Sequence, residues 1–210
     1  MITGVILAAG KAERMGELKQ LLYWKENNTI LSQSINNLLE AKIIDEQLLI
    51  VIGAEAVKLE NYLKNNYRKE IISDFIKIIR NPDFEDGMMS SVKKALKNVN
   101  SNSSYILFTL ADKPFITADI YQNLYRGFLQ KKPDIFIPQY KGQQGHPVIL
   151  KRTLLKKSLK ISGRGGLRNL FKLIPHKIYH YHCKYPQIKT DIDYKVQYNK
   201  YKKKEFKFKL

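Results

Sequence analysis

The stretch from Thr3 to Gln20 reads T-G-V-I-L-A-A-G-K-A-E-R-M-G-E-L-K-Q, and it decides the fold. Its apolar run, Val5–Leu7, predicts a short strand that is buried in a parallel sheet. The turn Ala8–Gly10 carries almost no side chain, so its backbone N–H groups can approach an anion or a base edge closely. Arg14 and Lys19 then offer a guanidinium and an ammonium group to a polyphosphate. We therefore predict a nucleoside triphosphate site at the end of the first strand.

Two common phosphate motifs are missing after this strand. The sequence has neither G-x-x-x-x-G-K-[ST] nor G-x-G-x-x-G there, which excludes a P-loop NTPase and a dinucleotide-binding unit. A strand followed by a small-residue turn and a basic helix also opens α/β domains that bind nothing at that point. The residue types alone leave both interpretations open.

Apolar strands and helical patterns alternate along the rest of the chain. The predicted strands are Gln47–Ile52, Ile76–Ile79, Ser104–Leu110 and Asp134–Pro138, followed by a hairpin over Tyr140–Leu150 and an edge strand over Tyr179–Tyr185. Helical spacing marks 30–39, where Thr29 is a candidate cap, and 56–63. This alternation predicts an α/β domain with a mostly parallel sheet.

The composition indicates one domain without a membrane span. The chain has 210 residues, enough for a substantial core, and it contains one cysteine, Cys183. Its apolar runs are too short to cross a bilayer, and its N-terminus does not read as a secretion signal. We expect a cytoplasmic protein.

Positive charge is concentrated in the last third of the chain. The net charge is +18, and residues 151–210 contain 18 Lys and Arg against 3 Asp and Glu. The predicted domain covers 1–198, and the basic tail 199–210 is expected to be disordered. No recognised nucleic-acid motif accompanies this charge, so nucleic-acid binding is not expected.

Asp112 follows the most strand-like segment of the chain, Ser104–Leu110. A carboxylate at the carboxyl end of a central parallel strand faces the crevice where open α/β sheets bind ligands. Because Mg²⁺ takes one or two carboxylates together with phosphate oxygens and water, Asp112 is a candidate ligand. Alternatively, Asp112 caps the helix that begins near Thr117. Asp191 and Asp193 are two residues apart, which in an extended chain puts both carboxylates on one face.

Three further segments contain candidate ligand contacts. Gly87 lies where the chain turns into a helix, and Ser90 or Ser91 can either cap that helix or face an anion or ribose. His146 begins the second strand of the predicted hairpin, where it either contacts substrate or is structural. The glycine-rich turn in Ser162–Phe171 opens a helix with two arginines, a shape suited to an anion.

Taken together, these segments resemble the nucleotidyltransferases related to molybdenum cofactor cytidylyltransferase. The matching blocks are the nucleotide-binding signature over Leu7–Leu22, a second block over Asn81–Val92, the metal-aspartate block Leu110–Pro114 and the substrate-side block Gly145–Val148. Their order and spacing fit the family from Thr3 to about Asp193. The resemblance implies a single-domain, Rossmann-like α/β/α sandwich of the nucleotide-diphospho-sugar transferase type.

The resemblance also implies a chemistry and a set of residues. The chemistry is Mg²⁺-dependent transfer of a nucleoside monophosphate, with CTP favoured as donor, to the phosphate of a molybdopterin-type acceptor, releasing pyrophosphate. Carried over residue by residue, the catalytic residues are Arg14, Lys19 and Asp112; the nucleotide-binding residues are Leu7, Ala8, Ala9, Gly10, Arg14, Lys19, Gly87 and Ser91; the Mg²⁺ ligands are Asp112, Asp191 and Asp193; and the acceptor-binding residues are His146 and Arg168.

Three positions depart from the family pattern. Lys113 stands where the family usually has glutamine, and Arg164 stands where the glycine turn usually bears an acidic residue. Tyr194–Gln197 replaces the usual Thr-Pro-Glu-Asp after Asp193, which leaves the helix at that point in question. These departures keep two alternatives open: transfer to a sugar phosphate or phosphorylated alcohol, and a non-catalytic accessory protein that binds the molybdenum cofactor for a molybdenum hydroxylase.

Overall fold

The computed structural model describes residues 1–11, 15–25, 27–161, 163 and 165–206, with side chains as far as residue 201. Within these residues eight strands form one sheet: β1 (Ile2–Ala8), β2 (Gln47–Ile52), β3 (Ile76–Arg80), β4 (Tyr105–Leu110), β5 (Ile135–Tyr140), β6 (Gln143–Gln144), β7 (Val148–Lys151) and β8 (Ile178–His182). The strand order is β3-β2-β1-β4-β7-β5-β6, and β8 pairs with β5. The predicted α/β class is confirmed.

Strand β1 lies inside the sheet, as its apolar sequence predicts. It pairs in parallel with β2 on one side and with β4 on the other, and Val5 and Ile6 are fully buried. Strand β3 continues the parallel half, whereas β7 runs antiparallel to both β4 and β5. The carboxyl ends of β1, β2 and β4 therefore meet at one edge of the sheet, where parallel sheets bind ligands.

Helices cover both faces of the sheet. They are α1 (Ile30–Glu40), α2 (Ala56–Asn66), α3 (Arg68–Ile72), α4 (Met88–Leu96), α5 (Ala118–Lys131), α6 (Leu155–Leu159), α7 (Leu167–Leu173) and α8 (Lys195–Phe206). Apolar residues of α1, α2 and α5 form one core with the sheet, and those of α4 and α7 form a second core on its opposite face. The result is the predicted three-layer sandwich. Of the helices described, none is long and apolar enough to cross a membrane.

The predicted hairpin is present, but its second strand is interrupted. Lys141 and Gly142 both have left-handed backbones and form a two-residue turn between β5 and β6, as hairpin turns of the I′ type require. The chain then leaves the hairpin at Gly145 and resumes as β7. A Cβ atom at Gly145 would lie 2.6 Å from the backbone oxygen of Ile188, so only glycine lets these two segments approach.

The C-terminal region contains the basic tail 199–210, whose disorder stays a prediction. Helix α8 continues to Phe206, and its first half is anchored by aromatic packing. The Tyr201 ring lies 4.5 Å from that of Phe115, and the Tyr198 hydroxyl donates a hydrogen bond to the Tyr23 carbonyl oxygen at 2.6 Å. Residues 207–210 lie outside the described part.

Candidate active site

The turn after β1 is fixed through its carbonyl groups. Ala54 N–H donates to the Ala9 oxygen at 3.1 Å. The Gln20 side chain, only 3% exposed, donates to the oxygens of Ala8 and Gly10 at 3.4 and 3.2 Å. Sequence analysis did not single out Gln20, because a glutamine in a loop carries no local signal of burial. Its amide holds the predicted phosphate-binding turn in place.

A cavity of about 280 Å³ opens beside this turn. Its lining includes most of the predicted nucleotide contacts, namely Leu7, Ala8, Ala9, Gly10, Lys19, Gly87 and Ser91, together with Asp112. Phe84 is a lining residue that sequence analysis missed. Its ring packs over Gly53, where a Cβ atom would lie only 2.7 Å from Phe84 Cβ. The glycine that ends β2 thus allows an aromatic wall to form on the cavity.

The serines of α4 do not cap the helix. Its N-cap is Gly87, which has φ = 97° and so adopts a backbone that side chains disfavour. Ser90 instead donates to the Gly87 oxygen at 2.8 Å, and Ser91 accepts from the buried Asn81 amide at 2.9 Å. The capping interpretation is wrong for both serines, and Ser91 is held at the cavity wall. By contrast, the Thr29 cap of α1 is confirmed by a capping box with Ser32.

Lys19, Asp112 and Asp193 meet at the edge of the sheet. The Lys19 ammonium contacts Asp112 Oδ2 at 2.6 Å, Asp193 Oδ1 at 2.9 Å and the Ile192 oxygen at 3.1 Å. Burial lowers the pKa of Lys19, but attraction from the two carboxylates outweighs it and raises that pKa above 10.5. The ammonium therefore stays charged at neutral pH and offsets the charge of the two carboxylates.

Asp112 lines the cavity and does not cap α5. Helix α5 begins after Thr117, which is its N-cap. Asp112 Oδ1 is buried and accepts no hydrogen bond from any described residue. A buried carboxylate oxygen without a donor is costly unless a cation or another donor reaches it. Within the described ranges, His, Cys, Asp and Glu form no cluster of three that could hold a metal alone. Asp112 and Asp193 nevertheless fit Mg²⁺, which completes its shell with phosphate oxygens and water.

A larger cavity, of about 500 Å³, lies on the other side of Asp112. Leu7, Met88, Leu110 and Asp112 line both cavities, so the two meet there. The larger one is also lined by the predicted acceptor residues His146 and Arg168, by Lys113, Asp191 and Asp193, and by apolar side chains that include Phe108, Ile137 and Phe171.

His146 is electrically neutral in this cavity. Burial and the nearby charge of Lys113 lower its pKa from 6.5 to about 4, despite a hydrogen bond to the Phe108 carbonyl oxygen. That bond, 3.4 Å from Nδ1, fits an Nδ1–H donor and leaves Nε2 as an acceptor. The sequence left open whether His146 contacts substrate or is structural. In the structure, His146 both bonds to the Phe108 carbonyl oxygen and lines the larger cavity.

The segment after Asp193 forms a helix despite its altered sequence. Gln197 Oε1 accepts hydrogen bonds from the backbone N–H groups of Asp193 and Tyr194, at 2.9 and 3.1 Å. This is the glutamine half of a capping box. The same bonds hold Asp193 next to Lys19. Arg14 and Arg164, both singled out by the sequence, lie outside the described residues.

Comparison with known proteins identifies the family. The sequence model of the MobA-like NTP transferase domain matches residues 4–181. The chain belongs to that family. It is 28% identical, over 189 residues, to molybdenum cofactor cytidylyltransferase of Escherichia coli strain K12, covering 90% of this chain and 89% of that one. This NTP transferase domain is also 31% identical to 2-C-methyl-D-erythritol 4-phosphate cytidylyltransferase of Dictyoglomus thermophilum over 127 residues, 60% of this chain and 51% of the relative.

Solved structures share the fold of this NTP transferase domain. A nucleotidyl transferase from Methanothermobacter aligns with a TM-score of 0.75 at 17% identity, covering 99% of both chains. The Mycobacterium tuberculosis protein Rv0371c, in complex with manganese, aligns with a TM-score of 0.72 at 21% identity, covering 95% of this chain and 97% of that one. The fold is thus the nucleotide-diphospho-sugar transferase fold that the resemblance implied.

Proposed function

We propose that this protein is an Mg²⁺-dependent nucleotidyltransferase that moves CMP from CTP to the phosphate of a molybdopterin-type acceptor and releases pyrophosphate. The observation that carries the proposal is the meeting of two cavities at Asp112, beside the Lys19 ammonium and Asp193. Cytidine and the molybdopterin-type acceptor are favoured because the E. coli relative, which aligns over 90% of this chain, is a molybdenum cofactor cytidylyltransferase.

In this proposal the smaller cavity binds CTP. The backbone of Ala8–Gly10, with Gly87 and Ser91, contacts the base and ribose. Arg14 and Lys19 contact the β- and γ-phosphates, where their charges stabilise the leaving pyrophosphate. Lys19 must then turn from its carboxylate partners toward phosphate oxygens when the nucleotide enters.

Asp112 and Asp193 are the proposed Mg²⁺ ligands. Both contact the same Lys19 nitrogen, so their carboxylates already lie close together, and Asp112 Oδ1 lacks a protein donor. A divalent ion held by these two carboxylates would neutralise charge on the phosphates. The manganese complex of Rv0371c, a neighbour in fold, agrees with a divalent metal in proteins of this shape.

The reaction is a substitution at the α-phosphorus of CTP. An oxygen of the acceptor phosphate forms a bond to that phosphorus while the bond to the α,β-bridging oxygen breaks, and the electron pair leaves with pyrophosphate. Repulsion between the two anions is the main barrier, so charge neutralisation and alignment matter more than proton transfer. His146 and Arg168 hold the acceptor in the larger cavity.

A second candidate is the same transfer to a sugar phosphate or phosphorylated alcohol. The Dictyoglomus thermophilum relative, a cytidylyltransferase for 2-C-methyl-D-erythritol 4-phosphate, is 31% identical over 127 residues. The larger cavity, at about 500 Å³, has room for acceptors of either kind.

The test is pyrophosphate release from each of the four NTPs with Mg²⁺, alone and with molybdopterin or 2-C-methyl-D-erythritol 4-phosphate. Release that requires CTP and molybdopterin supports the proposal. Release with the erythritol phosphate instead supports the second candidate. Nucleotide or cofactor binding without release from any NTP contradicts both, and favours an accessory protein that binds the molybdenum cofactor for a hydroxylase.

A further inference from the structure

Two lysines lie next to the candidate metal ligands, the partly buried Lys19 and the buried Lys113, and they differ in how many oxygen contacts they make. The Lys19 ammonium has three oxygen contacts between 2.6 and 3.1 Å. Lys113, only 3% exposed, has one hydrogen bond among the described residues, to Asp191 Oδ2 at 3.4 Å. An ammonium group can donate three hydrogen bonds, and burying one with a single long contact is unfavourable. Lys113 thus has donor capacity to spare at the cavity it lines.

The surroundings of Lys113 suit an anion. Arg168 and Lys189 also line the larger cavity, so three cationic side chains face a space whose floor is apolar. The fields of Lys113 and Arg168 both act on His146 and favour its neutral form. Three carboxylates line the same cavity, but Asp112 and Asp193 are paired with Lys19, which leaves only Asp191, whose side chain is 41% exposed, beside the three cations. Such a cavity fits a molecule with an apolar body and a phosphate group.

Lys113 directly follows Asp112 in the chain, but the two residues differ in which cavities they line. Asp112 lines both cavities, whereas Lys113 lines only the larger one. An anion held by Lys113 would therefore lie next to the residue proposed to bind the metal and the donor nucleotide. At this position the family resemblance implies glutamine, which carries no charge. The lysine adds a full positive charge where the attacking phosphate must be placed.

We infer that Lys113 binds the attacking phosphate of the acceptor, and that Asp191 orients the Lys113 ammonium instead of binding Mg²⁺. This inference rests on the proposed function, because it names how the acceptor is held for that reaction. The ammonium offsets the negative charge of the phosphate while one oxygen of that phosphate attacks the α-phosphorus. Asp191 Oδ2 accepts a hydrogen bond from Lys113 Nζ at 3.4 Å, and this bond directs the ammonium toward the cavity.

The first experiment compares the wild type with Lys113→Gln, which restores the side chain implied by the resemblance. We expect the acceptor KM to rise about tenfold or more, with the CTP KM unchanged, because a charged contact to the acceptor alone is removed. Lys172→Gln, on the exposed face of α7, is the matched control and should leave both constants unchanged. An unchanged acceptor KM in Lys113→Gln, or a change in the CTP KM alone, overturns the inference.

A binding measurement separates this inference from the proposed function. Titration calorimetry of inorganic phosphate into the protein with Mg²⁺ and α,β-methylene-CTP needs no turnover. We expect phosphate to bind about tenfold more weakly to Lys113→Gln than to the wild type. If the wild type releases no pyrophosphate yet shows this difference, the proposed function fails and the anion site stands. Equal phosphate binding by both proteins overturns the anion site, whatever the turnover.

Asp191→Asn tests the second half of the inference. Asp191 is a partly exposed residue outside the hydrophobic core, so this variant tests the anion site even if Lys113→Gln fails to fold. We expect weaker phosphate binding with unchanged Mn²⁺ affinity, measured by electron paramagnetic resonance, whereas Asp193→Asn weakens Mn²⁺ binding. Loss of Mn²⁺ affinity in Asp191→Asn would instead place Asp191 among the metal ligands and overturn its assigned role.

Discussion

The two cavities that meet at Asp112 are built in different ways. The smaller one is formed by backbone turns at the ends of parallel strands, with the Ala8–Gly10 turn braced by Gln20. The larger one is lined mainly by side chains from the antiparallel half of the sheet, from α7 and from residues 188–193. The backbone N–H groups of such turns can contact any nucleotide. The lining of the larger cavity, in contrast, can be altered by a single side-chain substitution. Under the proposed function, this difference assigns donor binding to the fold itself and acceptor choice to residues such as Lys113.

The largest expected effect comes from the residue that the cavities share. Asp112→Asn keeps the shape of the side chain but removes its charge, so we expect kcat to fall about a thousandfold, or about 4 kcal/mol in the transition state. Thermal unfolding should remain cooperative. Asp119→Asn, on the exposed first turn of α5, is the matched control. Pyrophosphate release by Asp112→Asn within tenfold of the wild type would contradict a shared metal site.

Lys19→Met tests the smaller cavity alone. We expect CTP affinity to fall about a hundredfold, since a charged phosphate contact is lost. Mn²⁺ affinity without nucleotide should rise, because the ammonium no longer neutralises Asp112 and Asp193. Both are measured by titration, with the exposed Lys58→Met as control. Unchanged CTP affinity would contradict a contact between Lys19 and the phosphates of CTP.

The larger cavity should respond to pH through His146. Because folding lowers the pKa of His146 from 6.5 to about 4, its stabilising contribution is complete above pH 6.5 and is lost as the pH falls toward 4. We expect a loss of about 3 kcal/mol in the free energy of unfolding over that range. Denaturant unfolding of His146→Gln should lack this part of the loss, and the exposed His182→Gln should retain it. If the free energy of unfolding depends on pH in the same way for His146→Gln and the wild type, His146 is not the group responsible for the loss.

The smallest expected effect concerns the start of helix α8, which follows Asp193 in the chain. Gln197→Ala removes the acceptor for two backbone N–H groups at the start of α8, and we expect a loss of about 1 kcal/mol in the free energy of unfolding. Mn²⁺ affinity should also decrease, because Asp193 is no longer held. Asn199→Ala, exposed two residues later, is the control. A stability loss without any change in Mn²⁺ affinity would limit Gln197 to a capping role.

Much of the fold and of the donor side could be predicted from local patterns. The Val5–Leu7 run, the small turn after it and the position of Asp112 behind an apolar strand are features of contiguous segments. Strand and helix periods are likewise local properties, so the alternation of elements gave the α/β class. The disorder of the basic tail, predicted from charge alone, stays a prediction, and contacts of Tyr198 and Tyr201 anchor the first half of α8.

By itself, the sequence determined which chemical groups this protein has and in which order they occur. Only the tertiary structure decided which of them meet. Lys19 contacts Asp112 across 93 positions and Asp193 across 174, and the buried Lys113 donates a hydrogen bond to Asp191, 78 positions away. The physical reason is that burial and ion pairing depend on packing between distant segments, whereas hydrophobic period and turn chemistry are already present within a few neighbouring residues.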